Sequence, residues 1–326
     1  MYRIIRDKRL EGYAFLTVCL VLGLVQWKVE RPMLIAERYI PGAGWIEILV
    51  IGMYAGWITH NMLDQGNSAK WRRITWMTFS IVFFGQLAMG LAEYEKFLMT
   101  GKLHLPVPMM ILGGPIYRGT ISFMPVLFLS TLLISGPAWC SQLCYFGALD
   151  NLAAGGKTEM KPIRNKFRIK HFMLLVIIAA AVLLRFLGAG PKLATAIALA
   201  SGILGILIIV LVSRHKGKMA QCILWCPVGT LVNYLKFISP FRMYIDDSCT
   251  KCMACTAYCK YDALGRTDIL NRKPGFTCTY CGDCLSSCKT ASIRYKLFSL
   301  QSEQARNSWI ILTISLHAIF LALARI

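Results

Sequence analysis

Carboxylates and histidines are scarce in this chain. Its 326 residues hold 16 Asp and Glu against 36 Lys and Arg, a net charge of +20, and only five His. It has no Gly-rich phosphate loop, dinucleotide-binding fingerprint or Ser-His-Asp arrangement, which argues against hydride and acyl-transfer chemistry. The few histidines also argue against a b-type haem, which needs two of them facing each other within a bilayer. Only His317 lies well inside an apolar run, while His60 and His171 stand at the ends of runs and His104 in a loop. The positive charge by itself would suggest nucleic acid. No RNA-binding or helix-turn-helix signature accompanies it, and the cations sit in short loops between apolar segments, the pattern of the positive-inside rule. A lipid bilayer, not nucleic acid, is the expected partner.

Hydrophobic residues make up 56% of the chain, in runs suited to membrane helices. Six spans are expected at about Gly12–Trp27, Trp45–His60, Ile74–Leu91, Thr120–Trp139, His171–Gly188 and Leu193–Val212. Pro125 should kink the fourth. A Gly-Ala-Gly-Pro turn at 188–191 should fold the fifth and sixth into an antiparallel hairpin, with Gly202 and Gly205 allowing close approach. The Pro- and Gly-rich stretch Leu105–Ile116 reads as re-entrant or interfacial. Trp309–Ala324, about 24 Å long as a helix, is expected to return to the membrane, spanning it or lying along its surface. Arg185 and Gln86 should face the bundle interior. Met1–Leu10 is basic and the run after it lacks a small-residue cleavage site, so it reads as a signal anchor. The basic N-terminus, Lys70–Arg73, Lys157–Lys170 and Arg214–Lys218 all fall on one side, expected to be cytoplasmic.

Cysteine is plentiful, at thirteen residues. Cys249, Cys252, Cys255 and Cys259 are spaced C-x2-C-x2-C-x3-C, and Cys278, Cys281, Cys284 and Cys288 repeat the pattern. This is the run of bacterial two-cluster ferredoxins, where three thiolates hold one cubane and the fourth, on a short helix that follows, reaches the other. One [4Fe–4S] cluster is expected on Cys249, Cys252, Cys255 and Cys288. The other is expected on Cys278, Cys281, Cys284 and Cys259. Disulfides would need an oxidising compartment, and zinc sites seldom use three Cys at this interval.

Two further pairs, Cys140-Ser-Gln-Leu-Cys144 and Cys222-Ile-Leu-Trp-Cys226, close the fourth span and follow the sixth. Phe146-Gly-Ala-Leu and Val228-Gly-Thr-Leu come after them, a loose internal duplication. An i, i+4 pair on a helix points both thiols to one side. Three readings stay open for these four: a third [4Fe–4S] cluster, a redox-active dithiol or transient copper or zinc site, and plain buried thiols. Cys19 reads as a small buried hydrophobe.

Over about residues 70–300 these motifs resemble the membrane polyferredoxins of NapH type, related to the C-terminal half of NosR. Cys222, Cys226 and Pro227 match the C-x3-C-P motif of that family. Tyr145 replaces the proline after the first pair, and Lys260 and Lys289 replace the proline after each fourth ferredoxin Cys. Two ammonium groups there should raise the cluster potentials. The resemblance implies a quinol dehydrogenase membrane subunit that relays electrons between the quinone pool and a partner, an iron–sulfur or cytochrome protein of a respiratory complex. A relative in the same broad group instead assists copper-oxidase assembly. The alternative expectation is therefore an assembly or regulatory factor that reduces a metal such as copper, or a disulfide. A quinol site needs a proton acceptor and an apolar cleft, and the candidates are His60, His104, Glu47, Glu93 and Glu95, each also an ordinary interfacial residue.

The expected fold is an all-α polytopic membrane bundle of about six to seven transmembrane helices with a small α+β ferredoxin-like dicluster segment. Residues 1–218 would form the first six helices, 219–300 the dicluster segment on the cytoplasmic face, and 301–326 a last membrane helix. The expected location is a bacterial inner membrane.

Overall fold

The computed structural model describes residues 8–92, 94, 97, 107–121, 123–156 and 161–323. In chain order the helices are α1 (Lys8–Lys28), α2 (Ile35–Tyr39), α3 (Gly44–Leu63), α4 (Ser68–Leu91), α5 (Met109–Arg118), α6 (Phe123–Ser135), α7 (Tyr145–Ala153), α8 (Lys166–Phe186), α9 (Pro191–Ile208), the single turn α10 (Arg214–Lys216), α11 (Pro227–Leu235), α12 (Arg266–Leu270) and α13 (Ser302–Leu323). Three π-helical turns, Trp139–Leu143, Ile209–Ser213 and Gln221–Trp225, interrupt them. Among the described residues, five helical segments are long and apolar enough to cross a membrane: α1, α4, α8, the run α9–α10 and α13. The protein is mostly helical, as a multi-pass membrane bundle requires.

The chain divides into two compact units, residues 1–104 with 300–326, and residues 105–299. In the first, α13 packs on α1, α3 and α4. Its 22 residues reach about 33 Å, because the helix starts at Ser302, in the polar stretch ahead of the apolar run. α1 and α3 come close because Gly52 lacks a side chain: a Cβ there would stand 2.5 Å from Cys19 Sγ and 3.0 Å from the Phe15 ring. Arg306 donates to the Met62 and Leu63 carbonyls at 3.0 and 2.9 Å, satisfying groups that have no partner within α3. The fully buried His317 shares a 3.0 Å hydrogen bond with the Tyr54 hydroxyl. α3 has the length of a span but carries Glu47, His60 and Asn61, and is not among the five.

Several expectations change in the second unit. The expected fourth span shrinks to the 13 residues of α6. Pro125 lies in its first turn, where no carbonyl four residues back belongs to the helix. Gly136, at φ +64°, ends α6 and starts the chain into the first π-turn. The expected re-entrant stretch is the ten-residue helix α5, with residues 105 and 106 outside the described part. α8 and α9 are not a packed hairpin. Each lies on α5 and on the turn Gln221–Trp225, and Gly202 and Gly205 face Val107 and Gln221. Arg185 is exposed instead of facing inward, and its guanidinium reaches the Ile116 carbonyl at 3.3 Å. The basic loop before α8 ends at Asn165, so Lys166, Arg168 and Lys170 are already helical.

Strands β1 (Phe241–Ile245) and β2 (Ile293–Leu297) pair antiparallel, from Phe241 opposite Leu297 to Ile245 opposite Ile293. Phe241, Met243, Ile245, Ile293 and Tyr295 form the buried face, following the period of two along a strand. The ladder ties together the two ends of the cysteine-rich segment.

Candidate metal centre

Between β1 and β2 the chain folds as two copies of one loop, 29 residues apart. Lys251 and Tyr280, just before the second Cys of each motif, both adopt left-handed backbone. So do Met253 and Gly282 just after it, and Asp262 and Ala291 three residues beyond the fourth Cys. Alternating handedness turns successive N–H groups to one side and forms a concavity of the kind that cradles anionic clusters. The fourth cysteines are matched too. Ala263 N–H donates to Cys259 Sγ at 3.2 Å, and Ser292 N–H to Cys288 Sγ at 3.3 Å. Cys259 follows a short 3-10 helix, Ala254–Ala257, whereas Cys288 follows a turn.

The two copies exchange their fourth cysteines. Cys255 lies within electrostatic reach of Cys288, Cys249 and Cys252, and Cys284 within reach of Cys281, Cys259 and Cys278. The second four line one crevice with Met243, Tyr261 and Leu264. Cys252 is exposed, whereas Cys284 is buried. The Cys249 set is therefore the outer one.

The two C-x3-C pairs are built alike. Cys140 and Cys222 are the second residues of π-turns that Cys144 and Cys226 terminate. The latter two donate five residues back, to the Trp139 and Gln221 carbonyls, at 3.0 Å each. A nine-residue helix follows in both cases, α7 or α11. The α-helical i, i+4 geometry expected for the pairs is thus opened into a wider turn. Phe146 and Gly147 amides point at Cys144 and those of Val228 and Gly229 at Cys226, the last at 3.4 Å. Pro227 occupies the first helical position, where its missing N–H costs nothing, and Tyr145 takes the same place. All four thiols converge, with Cys222 in electrostatic reach of Cys226, Cys144 and Cys140.

Two residues not singled out from the sequence complete this site. Asp150 on α7 accepts from the Cys222 N–H at 2.9 Å, and burial pushes its carboxyl up to about 6. Lys170 on α8 is buried with its charge beside Cys140, Cys226 and Cys222. In the sequence Lys170 is one more cation of a basic run, and only burial distinguishes it.

Burial pushes the Cys144 and Cys259 thiols up to about 12 and those of Cys255 and Cys278 to about 11. Burial acts the same way on Cys288, but hydrogen bonds from the Thr290 hydroxyl and the Ser292 and Ile293 amides outweigh it and bring that thiol below its usual value. Metal binding must therefore displace protons from most of these sites. Among the described residues no three His, Cys, Asp or Glu side chains close on a single-ion site.

Polar contacts join the sets. The Tyr261 hydroxyl donates to the Cys140 carbonyl, and Ser141 Oγ to the Thr279 carbonyl at 3.4 Å. Lys236 Nζ donates to the Phe276 and Cys278 carbonyls at 2.7 and 3.1 Å, and Lys218 Nζ to that of Cys259 at 2.7 Å. Lys260 does not present its ammonium to a cluster as its position suggested. It is buried and donates to the Asn151 carbonyl at 2.9 Å, while Lys289 is exposed.

Of the expected quinone candidates, the two described, Glu47 and His60, lie apart. Glu47 accepts from the Ala36 N–H at 2.7 Å at the start of α3, and His60 lies 2.6 Å from Glu11 near its end. The intervening helix separates them by about 20 Å. His104, Glu93 and Glu95 lie outside the described residues.

Residues 119–170 match the family described as a 4Fe-4S binding domain. The match includes the first π-turn, Cys140, Cys144 and α7. This is an iron–sulfur protein. It has an electron-transfer role and at least one [4Fe–4S] cluster. The chain is also 24% identical over 181 residues to the uncharacterized protein MJ0749 of Methanocaldococcus jannaschii, covering 52% of this chain and 69% of that protein. No solved structure matches.

Proposed function

We propose that the protein is the membrane-bound electron-transfer subunit of a quinone-linked redox complex, relaying electrons between the quinone pool and a partner iron–sulfur or cytochrome protein. Three thiol sets carry the relay: Cys140, Cys144, Cys222 and Cys226; then Cys278, Cys281, Cys284 and Cys259; then Cys249, Cys252, Cys255 and Cys288. A [4Fe–4S] cluster on each would take up and release one electron at a time.

The observation behind the series is the pair of hydrogen bonds, Tyr261 to Cys140 and Ser141 to Thr279. They seat the Cys140 set against the buried ferredoxin set, and the exposed Cys252 brings the series to the surface where a partner docks. Residues 1–218 and 301–326 would supply six to seven spans. Residues 219–300 would face the cytoplasm, a side supported by the basic stretches Lys161–Lys170 and Arg214–Lys218.

Iron analysis and quinol reduction test the reading together. Three cubanes require about twelve irons per chain and two about eight. A quinol analogue should reduce the clusters of the anaerobic protein. If quinol leaves every cluster unchanged while the reduced protein converts copper(II) to copper(I), the assembly-factor reading replaces this one.

A further inference from the structure

We infer that a quinone headgroup binds at His171, Tyr234 and Phe276, a site that rests on the quinone-relay reading and supplies its missing end. His171 stands near the start of α8 and its Nε2 shares a hydrogen bond with the Tyr234 hydroxyl of α11. Its Nδ1 lies 2.6 Å from the Phe167 carbonyl. A carbonyl can only accept, so Nδ1 carries the proton and Nε2 is the basic nitrogen. Phe276 closes the third side. Its ring centroid is 4.9 Å from Tyr234 and 6.4 Å from His171, stacked on the imidazole at 28°.

Phe167, His171 and Leu175 recur every fourth residue and share one face of α8. Leu175 is 65% exposed and continues this face as an apolar strip along the span. A basic, aromatic-walled position at the end of a membrane helix, with an apolar strip running from it, matches a lipid-soluble quinone. The flat ring stacks, an oxygen meets the His–Tyr pair, and the tail follows the helix.

Interfacial aromatics alone are commonplace in membrane proteins. Here each segment that contributes one also lies next to a thiol set. The residue before His171 is Lys170, whose charge lies beside Cys140, Cys226 and Cys222. α11 begins immediately after Cys226. Phe276 is two residues from Cys278, at most about 7 Å of chain, and Lys236 bridges their two carbonyls.

A quinol bound there loses two electrons and two protons to become quinone. The electrons leave singly to the thiol-held clusters. The Tyr234 hydroxyl takes up each quinol hydroxyl proton as it passes its own to His171 Nε2, and His171 releases each to water at the open edge of the ring.

Photolabelling of the holoprotein with an azido-quinone tests the site directly. Label is expected on peptides containing residues 167–175, 234 or 276, and excess unmodified quinone should compete it away. His171→Ala and Tyr234→Phe should each slow anaerobic cluster reduction by a quinol analogue at least tenfold, with unchanged iron content and full reduction by dithionite. Both side chains are partly exposed, and Tyr234→Phe keeps the ring. Label elsewhere with wild-type quinol rates in both variants overturns the site and leaves the relay standing. Wild-type clusters that dithionite reduces but quinol does not would overturn the relay reading, and the site with it.

Discussion

The hydroxyl of Tyr261 donates to the backbone carbonyl of Cys140, joining two thiol sets across 121 residues of sequence. Tyr261 follows the fourth cysteine of the first ferredoxin motif by two positions, and Cys140 opens the first membrane-exit pair. Both partners are buried, so the bond excludes water from the path between the sets.

Replacing Tyr261 with Phe removes the donor and leaves a buried carbonyl without its partner, a cost of about 1–3 kcal/mol. The midpoint of thermal cluster loss in detergent should fall by a few degrees with iron content unchanged. An identical melting curve would show that the contact does not hold the junction.

Cys226→Ser should reduce iron from about twelve to about eight per chain and leave the EPR signals of both ferredoxin clusters intact. Quinol-driven reduction should slow in the same variant. Undiminished flow would remove the Cys140 set from the relay.

Lys236 is buried and its ammonium donates to the Cys278 carbonyl. A fixed cation favours the more negative, reduced cluster. Lys236→Met should therefore lower the midpoint potential on the Cys278 side and leave the Cys249 side unmoved, as redox titration by EPR would show. Equal shifts in both signals would contradict the assignment of this cation.

Stripping iron with an oxidant and chelator should open the 246–292 loops first. Six residues there, five of them not glycine, hold left-handed backbone at matched positions, a strain that persists only while the surroundings enforce it. Limited proteolysis should cut this segment in the stripped protein and spare it in the native one.

In the other unit, Gly52→Ala forces a methyl to within 2.5 Å of Cys19 Sγ. Overpacking of this kind costs about 1–3 kcal/mol. Cys19→Ala in the same chain should recover part of the loss, and a double-mutant cycle without coupling would place the clash elsewhere.

Much of the chemistry was legible in residue order alone. Three cysteines at intervals of three allow a single loop to surround one cubane, and the 29-residue repeat shows that the arrangement occurs twice. Runs of apolar residues between basic stretches announce a membrane because lipid admits a helix only when its side chains are apolar. That information is local, so it survives without coordinates.

Other features depend on which segments meet. The pairs Cys140–Cys144 and Cys222–Cys226 read as α-helical until their backbone opened into π-turns, a choice made by i to i−5 hydrogen bonding that residue types do not encode. In the sequence Lys170 ends a basic run and Lys260 follows a ferredoxin-motif cysteine, and burial sends one to a thiol set and the other to Asn151. Pro125 falls in the first turn because α6 begins at Phe123, later than the span expected from Thr120. His171, Tyr234 and Phe276 lie on three separate segments, and no spacing rule connects them. Proximity between distant segments is a property of tertiary packing, and the proposed relay and quinone site both rest on it.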